Sequence, residues 1–130
     1  MMSMTRDDLP SPVRSWGRKF RDAFRGVKVG MHNQSSFFVH FFVAVAVIVA
    51  AVVLGVSFVD WCLLLLCIAG VLTAEMFNSA LESMAKAIGS EYNPHLRNAL
   101  DIGSAAVLLA SIGAVIVGTI VFLHRLIVLL

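Results

Sequence analysis

Three apolar segments, each long enough to cross a lipid bilayer, constrain this 130-residue chain more than any other feature. They run over residues 37–59, about 61–82 and 102–123, and a hydrocarbon core about 30 Å thick needs about 20 helical residues. Backbone groups in lipid have to be paired within the segment, which favours helices. Hydrophobic residues make up 59% of the chain, above the usage of soluble domains. We therefore expect one all-α membrane domain with three transmembrane helices.

The segment before the first span has the pattern of an amphipathic surface helix over residues 13–31. Apolar side chains recur there every three or four positions, and cations occupy the positions between them: Arg14, Arg18, Lys19, Arg21, Arg25 and Lys28. Such a helix suits the membrane interface, with its cations facing anionic lipid. We interpret the basic block as a cytoplasmic anchor and not as a nucleic-acid site. Residues 1–12, which contain two Asp and two Pro, are predicted to be a loose tail.

The remaining connections carry local signals. Asp60 and Trp61 are predicted to form a tight turn at the membrane interface opposite the cytoplasmic side. The second helix is expected to continue to Ile88 and to stop at Gly89, and Pro94 or His95 is expected to open the last helix. His40 lies one turn into the first span, where we expect a satisfied or interfacial histidine and not a ligand.

A polar motif lies where the second span returns to the cytoplasmic side. Helical periodicity of about 100° per residue puts five side chains on one face: Glu75, Asn78, Ser79, Glu82 and Lys86. The last helix carries three more on one side: Asn98, Asp101 and Ser104. Acidic groups at membrane depth are costly, so a binding or catalytic site is the default interpretation. The residues alone leave several roles open: metal-phosphate chemistry, a proton path through Glu75 in a small channel or transporter subunit, or solvated carboxylates beyond the bilayer.

Three segments of the sequence together resemble the small prokaryotic diacylglycerol kinase family, which includes undecaprenol kinases. They are Glu-Met-Phe-Asn-Ser-Ala-Leu-Glu at 75–82, Ile-Gly-Ser-Glu-Tyr at 88–92 and Asp-Ile-Gly-Ser-Ala-Ala-Val-Leu at 101–108. They match the family pattern E-x-x-N-[ST]-A-[IL]-E, a G-S-E-Y loop and a D-x-G-[SA]-[AG]-A-V-L helix start at this spacing. The likeness is ungapped from about residue 23 to residue 117.

The resemblance implies a homotrimer of three-span subunits in the bacterial inner membrane, with active sites between neighbouring subunits at the cytoplasmic interface. The implied reaction transfers the γ-phosphoryl group of ATP, with Mg²⁺, to the hydroxyl of a membrane lipid, either diacylglycerol or undecaprenol. By family role Glu75 would take the hydroxyl proton and Asn78 would orient that region. Glu82 would bind metal and ATP, while Asp101 would belong to the nucleotide-binding part. The sequence has no P-loop pattern G-x-x-x-x-G-K-[ST].

Two positions depart from the family pattern. Gln34 stands where the family usually has an acidic metal ligand, and Leu100 stands where it usually has Lys. A carboxamide offers Mg²⁺ an oxygen without charge, and loss of the Lys removes a phosphate-binding cation. We hypothesise that Arg97 takes over the phosphate contact, with Lys86 near Glu82 as a second nucleotide-binding cation. The alternative is a catalytically degenerate member that keeps the trimeric scaffold and binds lipid or a partner protein.

Overall fold

The described part of the chain is helical, with short turns between the helices. A computed structural model describes residues 15–32, 35–89 and 91–130. Four helices follow one another: α1 (Trp16–His32), α2 (Ser35–Leu54), α3 (Phe58–Ile88) and α4 (Pro94–Leu129). The last three are long and apolar enough to span a membrane, which confirms the expected fold class. The predicted tail at 1–12, Gln34 and Ser90 lie outside the described residues.

Helix α1 is amphipathic, as its periodicity predicts. Trp16, Phe20 and Phe24 follow one another at intervals of four, and all three are exposed. The ammonium of Lys19 lies 4.6 Å from the centre of the Trp16 ring, so the cation covers one aromatic face. An aromatic stripe left uncovered by the rest of the protein fits a helix that lies in the membrane interface.

The turn between α2 and α3 corrects one prediction. Helix α2 ends at Leu54, five residues before the predicted end at Val59. Gly55 adopts φ +63° and its N–H bonds to the Ala51 carbonyl at 3.0 Å, a left-handed helix end that glycine favours.

The predicted turn at Asp60 and Trp61 is also wrong, because both residues lie in the first turn of α3. Ser57 and Asp60 form a capping box there. The Asp60 N–H donates to Ser57 Oγ at 3.1 Å, and the Ser57 N–H donates to Asp60 Oδ2 at 3.4 Å. This reciprocal pair satisfies backbone donors at the helix start and so fixes where α3 begins.

The far end of the molecule is closed by a small core and one arginine. Four buried side chains make up this core: Ala51, Val56, Leu64 and Val121. Beside it, Arg125 Nε donates to the Leu54 carbonyl at 2.7 Å. That carbonyl is among the last four of α2, which have no partner within their own helix. Arg125 therefore attaches the end of α2 to α4.

Helices α3 and α4 form the most extensive helix pair. Gly89, at φ +120°, ends α3. Asn93 caps α4, since its Oδ1 accepts from the N–H groups of His95 at 2.9 Å and Leu96 at 3.3 Å. Pro94 is the first residue of the helix. The predicted stop at Gly89 and start at Pro94 are confirmed.

Helix α2 packs less extensively against this pair than α3 and α4 pack against each other. An apolar cavity of about 620 Å³ lies among the three helices, and His40 lines it at the end nearer to Glu75. Its walls include Val43 and Val47 of α2, Ile68 of α3 and Phe122 of α4. Helix α2 thus forms one wall of this cavity along residues 39–47.

Helices α3 and α4 approach each other closely at Gly103, so we expect Gly103→Ala to destabilise the protein. A Cβ at this position would lie 2.6 Å from Asn78 Oδ1 and 2.8 Å from Leu81 Cδ1. Relieving such contacts should cost about 1–3 kcal/mol of the free energy of unfolding, measured by titration with sodium dodecyl sulfate in mixed micelles. Gly113→Ala in the same helix is the control, because nothing lies within 4 Å of its Cβ. Equal free energies of unfolding for Gly103→Ala and Gly113→Ala would contradict the close approach of α3 and α4.

Candidate active site

Glu75 is the most buried charged residue of the described chain, at 3% exposure. Its Oε1 lies 2.9 Å from His40 Nε2, and its Oε2 accepts from Ser36 Oγ at 3.2 Å. Since Nε2 faces a carboxylate oxygen, that nitrogen carries the proton and donates. A buried carboxylate is tolerated when it is paired and hydrogen-bonded. Glu75 meets this requirement through two residues of α2.

Asn78 and Glu82 form a second pair, one turn apart on α3. Asn78 is buried, and its Nδ2 donates to Glu82 Oε1 at 3.0 Å. The other side of the carboxamide, Oδ1, points into the narrow space beside Gly103. Within the described residues, Asn78 Oδ1 and Ser79 Oγ are buried without a hydrogen-bond partner. Asn78 thus orients the half-buried carboxylate of Glu82.

Three of the predicted nucleotide-binding residues lie on exposed surfaces, whereas Glu82 is half-buried. Lys86 is exposed near the end of α3. Arg97 Nε is 3.9 Å from Asp101 Oδ2, and these side chains are 69% and 72% exposed. Such an exposed pair adds little to stability, so its charges remain available to solvent and ligands. Leu100 is half-buried beside them.

Within one chain the polar face of α4 does not join that of α3. Gly103 packs against Asn78, and Asp101 precedes it by two residues, which is about 200° around the helix. Asp101 therefore points away from α3. The structure brings Glu75 together with Ser36 and His40, and Asn78 together with Glu82, but it leaves Arg97 and Asp101 on a separate surface.

Sequence reasoning missed the two partners of Glu75. The sequence does not single out Ser36, and it predicts a satisfied His40 without indicating its partner. One signal was present, because Ser36 and His40 are four residues apart and so share a helix face. A carboxylate at membrane depth needs donors at the same depth, and these are the polar side chains that α2 offers there.

The residues present fit a divalent cation held partly by phosphate. In the described ranges no three His, Cys, Asp or Glu side chains cluster as a complete metal site. Mg²⁺ commonly uses only one or two carboxylates and takes its other ligands from substrate phosphates and water. The Glu82 carboxylate, which Asn78 orients through a hydrogen bond from a neutral amide, could serve as one such carboxylate ligand.

The chain matches the family model described as "Prokaryotic diacylglycerol kinase" over residues 21–122. It is 40% identical over 100 residues to a diacylglycerol kinase of Synechocystis sp., covering 76% of this chain but 57% of that protein. It is 35% identical over 94 residues to the diacylglycerol kinase of Escherichia coli, covering 72% and 77%. An undecaprenol kinase of Bacillus subtilis is 25% identical over 123 residues, which covers 95% of this chain and 100% of the relative.

Proposed function

Because this chain belongs to the prokaryotic diacylglycerol kinase family, we propose that it transfers the γ-phosphoryl group of ATP to the hydroxyl of a membrane lipid. The hydroxyl oxygen forms a bond to the γ-phosphorus, the bond to the β,γ-bridging oxygen breaks, and ADP leaves. The observation that supports this proposal most strongly is Glu75 itself. It is buried, it is hydrogen-bonded through both oxygens, and it lies in a helix long enough to span a membrane. Diacylglycerol is the first substrate to test, because the Synechocystis and Escherichia coli relatives are diacylglycerol kinases.

In this proposal Glu75 takes the proton of the lipid hydroxyl. A carboxylate offers about four lone-pair positions, and His40 and Ser36 occupy one on each oxygen. As far as the described residues go, one position on each oxygen then remains for the substrate. A base has to lie within hydrogen-bond reach of the proton that it removes, and a base at the interface reaches a hydroxyl that stays in the membrane.

The remaining candidate residues would bind Mg²⁺ and the charged phosphates of ATP. Phosphoryl transfer depends mainly on alignment and on neutralising phosphate charge. Glu82 and Gln34 would hold Mg²⁺, which supplies that neutralisation when bound. Asn78 keeps the Glu82 carboxylate in place through its Nδ2. Asp101, Arg97 and Lys86 would bind the nucleotide from the water side.

The chain is a bacterial membrane protein, and we infer that its N-terminus is cytoplasmic. Seven of its ten Lys and Arg precede the first span, and cytoplasmic segments carry such an excess. With three spans, the α3–α4 connection then faces the cytoplasm, where ATP is available. Glu82 and Asp101 lie on that side of the helices.

Two alternatives stay within the family. The first alternative is that the lipid substrate is undecaprenol, since the Bacillus subtilis relative, which is matched along its whole length, is an undecaprenol kinase. The second alternative is a catalytically degenerate protein that serves as a scaffold and phosphorylates no lipid. Gln34 and Leu100 favour it, because each replaces a charged residue of the family pattern. The same assay separates all three.

We expect Glu75→Gln to lower the rate of lipid phosphorylation by about 10²–10⁴-fold, the usual contribution of general base catalysis. The measurement is transfer of labelled phosphate from ATP to diacylglycerol, and separately to undecaprenol, in mixed micelles with Mg²⁺. Asp22→Asn is the control, because Asp22 is an exposed carboxylate of α1 outside the three motif segments. No transfer to either lipid from folded wild-type protein would favour the scaffold.

We also propose a homotrimer with active sites shared between subunits, and the direction of Asp101 supports a shared site. It points away from Glu75 of its own chain, so a site that uses both residues takes them from two chains. We expect Glu75→Gln and Asp101→Asn each to be inactive alone, and a random mixture of the two to recover about one quarter of wild-type sites. Activity is measured after the two variants are unfolded, mixed and refolded together. Absence of recovery, with mixed assembly shown by crosslinking, would contradict the shared site.

Arg97→Ala should raise the KM for ATP with little change in the KM for lipid. A charge-assisted phosphate contact contributes about 1.5–3 kcal/mol, so the KM should rise by roughly ten- to a hundredfold. Arg97→Lys, which keeps a cation next to Asp101, should recover part of this loss. An unchanged KM for ATP in Arg97→Ala would show that Arg97 does not contact phosphate.

A further inference from the structure

Two donors on α2 converge on one carboxylate of α3. Ser36 and His40 are four residues apart, so their side chains leave α2 on the same face. They approach different oxygens of Glu75, Ser36 at 3.2 Å to Oε2 and His40 at 2.9 Å to Oε1. The Glu75 side chain is 4% exposed and that of His40 is 24% exposed. We call Ser36 and His40 the α2 clamp.

We propose that the α2 clamp consists of positioning residues for phosphoryl transfer, which fix the orientation of the Glu75 carboxylate toward the lipid hydroxyl. This inference rests on the proposed function, in which Glu75 is the base. With one bond to each oxygen, rotation of the carboxylate about its terminal torsion is blocked. The lone pairs left for the substrate then point in fixed directions.

The physical need for such a clamp comes from the flexibility of glutamate. Its side chain has three torsions, and the terminal one is broad and roughly two-fold. Without partners the carboxylate would be spread over several orientations, and an error of about 1 Å in a reacting group costs on the order of 10²-fold in rate. The backbone of α3 fixes only the Cα of Glu75, so the last part of the alignment has to come from another helix.

The packing of α2 agrees with this role. Beyond His40 the helix borders the 620 Å³ cavity, so the packing that holds the clamp has to come from its own end of α2. Phe37, at 6% exposure, lies between the two clamp residues in sequence and anchors this end of α2. The clamp therefore sits on a locally anchored segment, which a positioning device requires.

Paired variants distinguish positioning from a structural role. His40→Leu removes the donor and keeps an apolar side chain, whereas His40→Gln keeps an N–H donor. Ser36→Ala and Ser36→Thr form the second pair, without and with the hydroxyl. His124→Gln is the control, because His124 is exposed near the other end of α4.

We expect His40→Leu to lower kcat by about 10–100-fold, the usual loss on removing an orienting partner, with the KM values for lipid and ATP nearly unchanged. His40→Gln should recover most of kcat, and Ser36→Ala should lose less than His40→Leu. His124→Gln should behave as wild type. If His40→Gln lost as much kcat as His40→Leu while remaining folded, or if His40→Leu retained wild-type kcat, the clamp would be excluded.

A second readout does not depend on kinase activity. An apolar carbodiimide reacts with accessible carboxyl groups, and mass spectrometry locates the N-acylurea product. We expect little product at Glu75 in the wild type and several-fold more in His40→Leu, but not in His40→Gln. Equal labelling of wild type and His40→Leu would overturn the clamp. Wild-type protein that phosphorylates no lipid but shows this labelling pattern would overturn the proposed function and leave the clamp as the holder of Glu75.

Discussion

The cost of burying a carboxylate at membrane depth organises the cytoplasmic end of this molecule. A charge removed from water is tolerated only when its oxygens are paired, and Glu75 obtains both partners from α2. That requirement fixes the register of α2 against α3, because a shift by one residue would turn Ser36 and His40 away together. The same two bonds that make the carboxylate tolerable in the fold also give it a direction, so stability and chemistry draw on one contact.

The rest of the structure supports that contact from two sides. At the other end of α2, Arg125 holds the last turn through the Leu54 carbonyl. Helix α2 is therefore attached at both ends, and between them it borders the cavity among the three helices. On the other side of α3, the missing side chain of Gly103 lets α4 come close to Asn78. This approach aims the Asn78 amide at Glu82 and at the same time turns Asp101 outward. One close helix contact therefore sets the directions of three polar side chains.

Hydropathy and local signals predict most of the helical architecture, because a membrane leaves few alternatives to long apolar helices. They fail at the α2–α3 turn, where the apolar run continues through the connection and only Gly55 and the Ser57–Asp60 box mark the change of helix. The motif also indicates which α3 side chains share a face. It does not indicate their partners, because the pairing of His40 with Glu75 depends on how two helices pack, which no single segment encodes.

The lengths of the long helices have one more consequence. Helix α3 has 31 residues and so extends about 46 Å, well beyond a hydrocarbon layer of about 30 Å. Glu75 and Glu82 are seven residues apart, about 10 Å along the helix axis. Helix α3 therefore holds the two carboxylates at different depths along the bilayer normal. In the proposed reaction, a lipid hydroxyl that rests deeper in the bilayer than Glu75 has to be lifted to reach it, and each methylene withdrawn from hydrocarbon costs about 0.8 kcal/mol. The height of a headgroup thus becomes a criterion of selection that is independent of the identity of its chains.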